Sequence, residues 1–309
     1  MTAVAEANDL GGGVSPPSAR LRHLILTIYG LYARSSGGWL SVAVLIRLLA
    51  DLGVEEPAVR SAISRLKRRG MLQSRRHDGS AGYELSPQAL AILSEGDARI
   101  FRKRRAALAD GWVLAVFSVP ETQRQQRHVL RSELAGLGFG TVAPGVWIVP
   151  AYPDDATAET LRRLGLDRYA DLFRADHRAF GDLAGKIREW WDLDELERLY
   201  EAFIGAYEPA LRRWEQAGEA GGAGAVGGDG AVGGAGAVGG DGAVGGREAF
   251  ADYVRALTDW RRLPYSDPGL PAELLPPGWI GIRAAEAFFT LRSLLEEPAR
   301  AYVRQVISG

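Results

Sequence analysis

Apolar residues recur at three- and four-residue steps from Leu21 to Ala33. Leu21, Leu24, Ile25, Ile28 and Tyr32 share one face, which predicts a first helix stopped by Ser35-Ser36-Gly37-Gly38. Ser41 is placed to cap a second helix, Val42 to Leu52, which Gly53 ends. Glu55-Glu56-Pro57 opens a third. Carboxylates suit the positive end of a helix, and proline is tolerated in its first turn. This helix runs to Arg69, with Gly70 as its stop. Met71 to Arg76 and Gly82 to Leu85 are short extended runs around Asp78-Gly79, a hairpin signal. Ser86-Pro87 then starts a helix expected to reach about Leu108.

The periodicity then changes. Trp112 to Val119 predicts an apolar strand, ended by Pro120, and Glu121 to Leu137 a charged amphipathic helix. Thr141 to Val149 follows as one strand with a bulge or bend at Pro144-Gly145. A short helix, Ala156 to Leu164, and a third strand, Tyr169 to Ala175, complete a small α/β sandwich with helices on one face. Beyond Asp192 the chain reads as helical. Leu193, Leu196, Tyr200, Phe203, Tyr207, Leu211 and Trp214 form one stripe. A second helix spans about Arg247 to Arg262. A proline-rich loop, Pro264 to Pro277, leads to a third from Ile280 to Leu295, with Pro298 breaking into a last turn. Ala223 to Gly246 holds two identical copies of AGAVGGDGAVGG. Such a composition buries too little surface to offset its ordering entropy, so 218–246 reads as a flexible insertion with no role assigned.

The fold class expected is α+β. A disordered tail (1–17) precedes a winged helix-turn-helix (18–86) and a connecting helix (87–110). A central ferredoxin-like α/β sandwich (111–185) and a helical C-terminal sensor domain (186–309) follow.

Composition narrows the functional classes. Cysteine is absent, which excludes disulfides and thiolate metal sites and fits a reducing cytoplasm. His23, His77, His128 and His177 lack metal-ligand spacing, and no apolar run approaches the ~18 residues of a membrane span. The formal net charge of −1 conceals an asymmetry. Between Ser18 and Asp110 there are 16 Lys and Arg against 8 Asp and Glu, so this stretch carries +8 and the remainder −9. A basic third on an acidic body steers one face toward phosphates.

The third helix concentrates the chemistry. Val59, Ala62, Ile63 and Leu66 fall on one face, while Arg60, Ser61, Ser64, Arg65, Lys67 and Arg68 occupy the rest. A recognition helix needs this division, with apolar anchors beneath and short polar and guanidinium groups above. Arginine can pair bidentately with guanine and serine can reach bases or phosphates. Lysine and the later arginines hold phosphates, which adds affinity without sequence choice. Arg75 and Arg76 on the hairpin can grip the flanking backbone. Three helices followed by a hairpin is the winged-helix layout.

These residues resemble the phenylacetate-degradation repressor family, PaaX. The features carrying the resemblance are Tyr29-Gly30, Gly37-Gly38-Trp39, Val59-Arg60-Ser61-Ala62 and Ser64-Arg65-Leu66. GWVLAVFSVP (111–120) and LGFGTVAPGVWIVP (137–150) are similar to that family's middle domain, and DPGLPAELLPPGWIG (267–281) to its C-terminal signature. The resemblance implies a cytoplasmic, homodimeric repressor of an aromatic-acid catabolic operon. Its partners would be double-stranded operator DNA and an acyl-coenzyme A effector such as phenylacetyl-CoA. Met71 stands where a tryptophan is common. The hairpin tip, His77 to Gly82, lacks the family's basic residues and aromatic pair, and the Gly/Ala repeat interrupts the C-terminal domain.

An enzyme is the alternative. The central domain also resembles the small ferredoxin-like nuclease subunit of CRISPR adaptation complexes, in which an acidic residue at the end of the first strand holds a metal. Here that stretch is Phe117-Ser118-Val119-Pro120, without a carboxylate. No nucleophile elbow, P-loop or zincin motif occurs, so no catalytic or metal residue and no cofactor is assigned. For the effector, Tyr200, Phe203, Tyr207, Trp260, Trp279 and Phe288 offer packing, with Arg212, Arg213, Arg261 and Arg262 for charge. Aromatic residues at helical spacing ordinarily form core, and no effector residue is assigned.

Overall fold

The computed structural model describes residues 17–34, 37–101, 105–151, 157–178, 180–223 and 241–309. The expected tail up to residue 16, and residues 224–240 of the repeat, lie outside the described residues. The chain forms two compact units. Of the described residues, one comprises 98–201 with 261–282, and the other 17–97 with 202–260 and 283–309. C-terminal helices thus share a unit with the N-terminal segment. No helix among the described residues is long and apolar enough to cross a membrane.

In the N-terminal segment, α1 (Pro17–Ile28) starts a turn earlier than predicted, with proline in its first turn where a missing N–H is harmless. It widens into a π-turn, Tyr29–Ala33, whose Tyr29, Tyr32 and Ala33 are buried. A short strand not foreseen from sequence, β1 (Trp39–Ser41), precedes α2 (Val42–Asp51), and the Ser41 hydroxyl accepts from the Val44 amide at 3.1 Å. Then come α3 (Glu56–Arg68), β2 (Leu72–His77) and β3 (Ser80–Leu85). Asp78 and Gly79 both have positive φ, 47° and 78°, as a two-residue hairpin turn of the mirror-image type requires. The sheet order is β1-β3-β2, antiparallel. The Ser86 hydroxyl caps α4 (Pro87–Ile100) through the Ala89 amide at 3.0 Å. This helix ends eight residues before Leu108 and does not reach the expected boundary; a 3-10 turn, Leu108–Asp110, follows.

The central unit contains β4 (Trp112–Phe117), α5 (Arg124–Gly136), β5 (Gly140–Ala143), β6 (Val146–Pro150), α6 (Thr157–Arg163), β7 (Ala170–Ala175) and α7 (Leu183–Trp190). The stretch expected as one bent strand, 141–149, is instead a hairpin. Gly145 at φ +79° reverses the chain, so Val146 pairs back onto Ala143. This gives a four-stranded antiparallel sheet, order β5-β6-β4-β7, where three strands were expected. Ala115, Trp147 and Val149 on its covered face pack with Leu130, Leu134 and Leu161 of the helices. α7 was not predicted either. Asp182 caps it by accepting from the Ala184 and Gly185 amides.

The remaining helices are α8 (Leu193–Ala223), α9 (Asp241–Trp260), a single turn α10 (Leu263–Ser266) and α11 (Ile280–Ser308). α8 and α9 extend into the expected insertion by about a turn and a half on each side. Elongating a packed helix adds a hydrogen bond per residue without a new nucleus. Pro298 sits inside α11 and does not end it. Ala299, Tyr302, Val303 and Val306 are buried beyond it, and their burial exceeds the ~3 kcal/mol that an interior proline costs. Asp267 of the DPGLP segment accepts from the Tyr200 hydroxyl (2.7 Å), the Arg105 guanidinium (3.2 Å) and the Gly269 amide (2.7 Å), which fixes this irregular stretch.

Phe288 is fully buried and stacks on Trp260 at 4.6 Å. Phe288→Ala is expected to lower the unfolding free energy by about 3–5 kcal/mol in a urea titration. A Cβ at Gly82 would lie 2.4 Å from the Leu40 carbonyl oxygen and 2.5 Å from the Trp39 ring. Gly82→Ala should therefore part β1 from β3. Amide exchange at Trp39–Ser41 should accelerate, with a stability loss of about 1–3 kcal/mol.

Candidate nucleic-acid interface

α3 is anchored from below. Val59, Ala62, Ile63 and Leu66 are buried, and the three larger side chains contribute roughly 1.5–3 kcal/mol each by burial. That packing fixes the helix about its axis. The opposite side exposes Arg60, Ser61, Ser64, Lys67 and Arg68, with Arg65 half-buried. Arg60 Nε donates to Glu56 Oε1 at 2.7 Å, one turn back on the helix. Such an exposed pair is worth only about 0.3–0.5 kcal/mol, so Arg60 is oriented without being locked. Arg65 Nη1 donates to Ser61 Oγ at 3.1 Å, which links those two in a single polar group.

The hairpin carries Arg75 and Arg76, both exposed. They are consecutive in β2, so their side chains leave opposite faces of the sheet. Arg75 Nε lies 3.5 Å from Glu84 Oε2. The Trp39 indole donates to the Arg75 carbonyl at 3.3 Å, and its ring sits 5.5 Å from that of His77. Lys67 Nζ lies 5.6 Å from the Tyr83 ring centroid, bridging α3 and β3. The Tyr29 hydroxyl donates to the Tyr83 carbonyl at 3.0 Å, and burial raises the Tyr29 pKa further above its ordinary value.

Sequence reasoning missed two features of this face. Arg69, which the sequence marks only as the helix end, extends the exposed basic run beyond Arg68. Trp39 braces the hairpin through its indole. A tryptophan in a Gly-Gly-Trp turn was the available signal.

The six aromatic side chains weighed as effector contacts are all buried. Tyr200 and Trp279 meet edge to face in the central unit. Phe203, Tyr207, Trp260 and Phe288 cluster in the other. They are core. Arg212 and Arg213 pair with Glu208 and Asp252. Arg261 is buried, which lowers its pKa, and its Nε has no hydrogen-bond partner. At the end of β4 the Ser118 amide donates to the Tyr169 carbonyl at 3.0 Å. Among the described residues no three His, Cys, Asp or Glu side chains lie close enough to share a metal ion.

Three family models match the chain in succession. They are described as PaaX-like protein over 20–89, PaaX protein central Cas2-like domain over 105–187, and PaaX-like protein C-terminal domain over 239–305. The Transcriptional repressor PaaX of Escherichia coli is 24% identical over 285 residues, covering 91% of this chain and 82% of that protein. Among solved structures, an uncharacterized protein from Mycobacterium tuberculosis superimposes with a TM-score of 0.57 at 21% identity. That alignment spans 90% of this chain and 97% of the other, a likeness of fold. Matched in order over nearly its whole length, the chain belongs to the PaaX family and is a transcription regulator rather than an enzyme.

Proposed function

We propose that this protein is a dimeric, DNA-binding repressor of an aromatic-acid catabolic operon, acting in the cytoplasm and released by an acyl-coenzyme A effector such as phenylacetyl-CoA. The N-terminal segment is read as a winged helix-turn-helix, with α3 in the major groove and the β2–β3 hairpin as wing. One observation carries this reading. α3 buries Val59, Ala62, Ile63 and Leu66 and turns its basic and hydroxyl side chains outward or half-outward. Folding alone does not require the three exposed cations Arg60, Lys67 and Arg68 on one short helix, whereas they suit a polyanion.

Roles follow from side-chain chemistry. Arg60, Ser61, Ser64 and Arg65 read base edges. Lys67, Arg68, Arg75 and Arg76 hold phosphates. The strand order of the central sheet, with helices on one face, supports a ferredoxin-like sandwich. A two-fold dimer would present two α3 helices to successive major grooves. The effector acts only as far as its affinity differs between the DNA-competent geometry and another. The name of the Escherichia coli relative supports the repressor role.

The probe is a duplex selected by the full chain from a random-sequence library, compared with a scrambled duplex of equal length. Arg60→Ala should weaken binding to the selected duplex by about 1–3 kcal/mol and relax its preference locally. Lys67→Ala should weaken both duplexes alike and reduce the salt slope by about 1. Absence of any preference by the wild-type chain refutes the reading. Phenylacetyl-CoA should release the bound duplex in a titration while coenzyme A and phenylacetate do not. An unchanged affinity at saturating phenylacetyl-CoA eliminates it as effector.

A further inference from the structure

Asp51 stands at an unfavourable place. It is the last residue of α2, where the helix dipole is negative and a cation is preferred. Its carboxylate is nevertheless nearly buried, 11% exposed. The groups that compensate it come from the far end of the chain. Arg247 Nε of α9 lies 2.9 Å from Asp51 Oδ1, and the Tyr302 hydroxyl of α11 donates to Oδ2 at 2.5 Å. Arg47 also faces this hydroxyl, and burial together with the bond to Asp51 raises the Tyr302 pKa. One residue further on, Leu52 is the C-cap of α2, and its carbonyl accepts from Arg255 Nη2 of α9 at 3.2 Å.

Leu52 to Glu55 is the turn that joins α2 to α3. Gly53 holds φ +79°, its amide bonds to the Ala50 carbonyl, and the Val54 amide bonds to the Leu49 carbonyl. The turn is thus closed by its own backbone on one side and held by C-terminal side chains on the other. α9 is also tied to α1. Thr258 and Thr27 share a buried hydrogen bond at 2.9 Å, and Asp259 accepts from Arg20 (3.0 Å) and the Tyr207 hydroxyl (2.6 Å). A displacement of α9 or α11 therefore pulls on the turn from which α3 departs.

We infer that Arg247, Arg255 and Tyr302 are positioning residues, through which the C-terminal helices set the orientation of α3 on DNA by gripping Asp51 and the Leu52 carbonyl. This deepens the proposed function and rests on α3 being the DNA-reading helix. None of the three touches DNA in this assignment. An event in the C-terminal helices, a bound ligand included, reaches α3 by this route.

The full-length double variant Arg247→Met, Tyr302→Phe keeps the side-chain stems and removes the grip. Two readings are taken: amide exchange at Gly53, Val54 and the first turn of α3, and affinity for the selected and scrambled duplexes. Exchange there is expected to rise several-fold while the α9 core amides stay unchanged. Affinity for the selected duplex should fall about tenfold, and for the scrambled one by less than about twofold. Arg247→Lys should recover most of the loss. Unchanged exchange at the turn overturns the inference whatever DNA does. Faster exchange with equal effects on both duplexes also overturns it, because orientation would then not matter to sequence choice. If the wild-type chain selects no sequence, the proposed function falls, and the exchange reading alone decides the grip. Should the double variant fail to fold, Tyr302→Phe alone keeps the ring against Phe250 and carries both readings with about a threefold effect.

Discussion

The underside of α3 is the constraint on which the rest depends. Four apolar side chains pinned beneath a thirteen-residue helix leave it no freedom to roll, so every polar residue on its other side has a fixed bearing. Arg60 and Arg65 gain only weak local partners, Glu56 and Ser61, and these can be exchanged for an external acceptor at little cost. Rigid below and adaptable above is what recognition of a polyanion asks of a helix. The hairpin behind it is braced by Trp39, Tyr29 and Lys67, three contacts that reach it from three different elements.

The same unit contains the last helices of the chain. Their apolar faces are covered partly by α1, as the buried Thr27–Thr258 pair and the Tyr32–Phe250 contact show. The N-terminal segment and the C-terminal helices are thereby stitched by ion pairs of both polarities, among them Arg20–Asp259 and Asp51–Arg247. Exposed pairs of this kind add little stability, but a nearly buried carboxylate such as Asp51 demands its partners and so specifies geometry. In the central unit α5 also carries Arg124, Arg127 and Arg131, the first and last of them exposed. The unit's other features are a sheet covered on one face and a network about Asp267 that turns the proline-rich signature into fixed structure.

Sequence reading located most elements because their determinants are local. Ser41 and Ser86 cap helices by hydroxyls one turn from the amides they receive. Asp78-Gly79 turns a hairpin because two successive residues tolerate positive φ. The division of α3 into buried and exposed faces was legible from a 3.6-residue period alone. The six-residue basic and hydroxyl set on α3 was therefore placed correctly on the exposed or half-exposed side. That Arg75 and Arg76 leave opposite faces of the hairpin follows from the alternation along a strand.

What the sequence by itself determined, then, is helix phase, caps, the type of the Asp78-Gly79 turn and the chemistry displayed on α3, all interactions spanning about one turn of chain. Tertiary structure decided the remainder. Pro298 remains inside a helix because distant neighbours bury Tyr302 and Val306 beyond it. The 141–149 stretch folds back as a hairpin because Val146 finds Ala143 and Val116 as partners. Asp51 occupies the wrong end of a helix because Arg247 and Tyr302, about two hundred residues or more away, arrive to hold it. Contacts between residues so far apart leave no periodic trace in the chain, since the free energy that selects them exists only once both segments are packed.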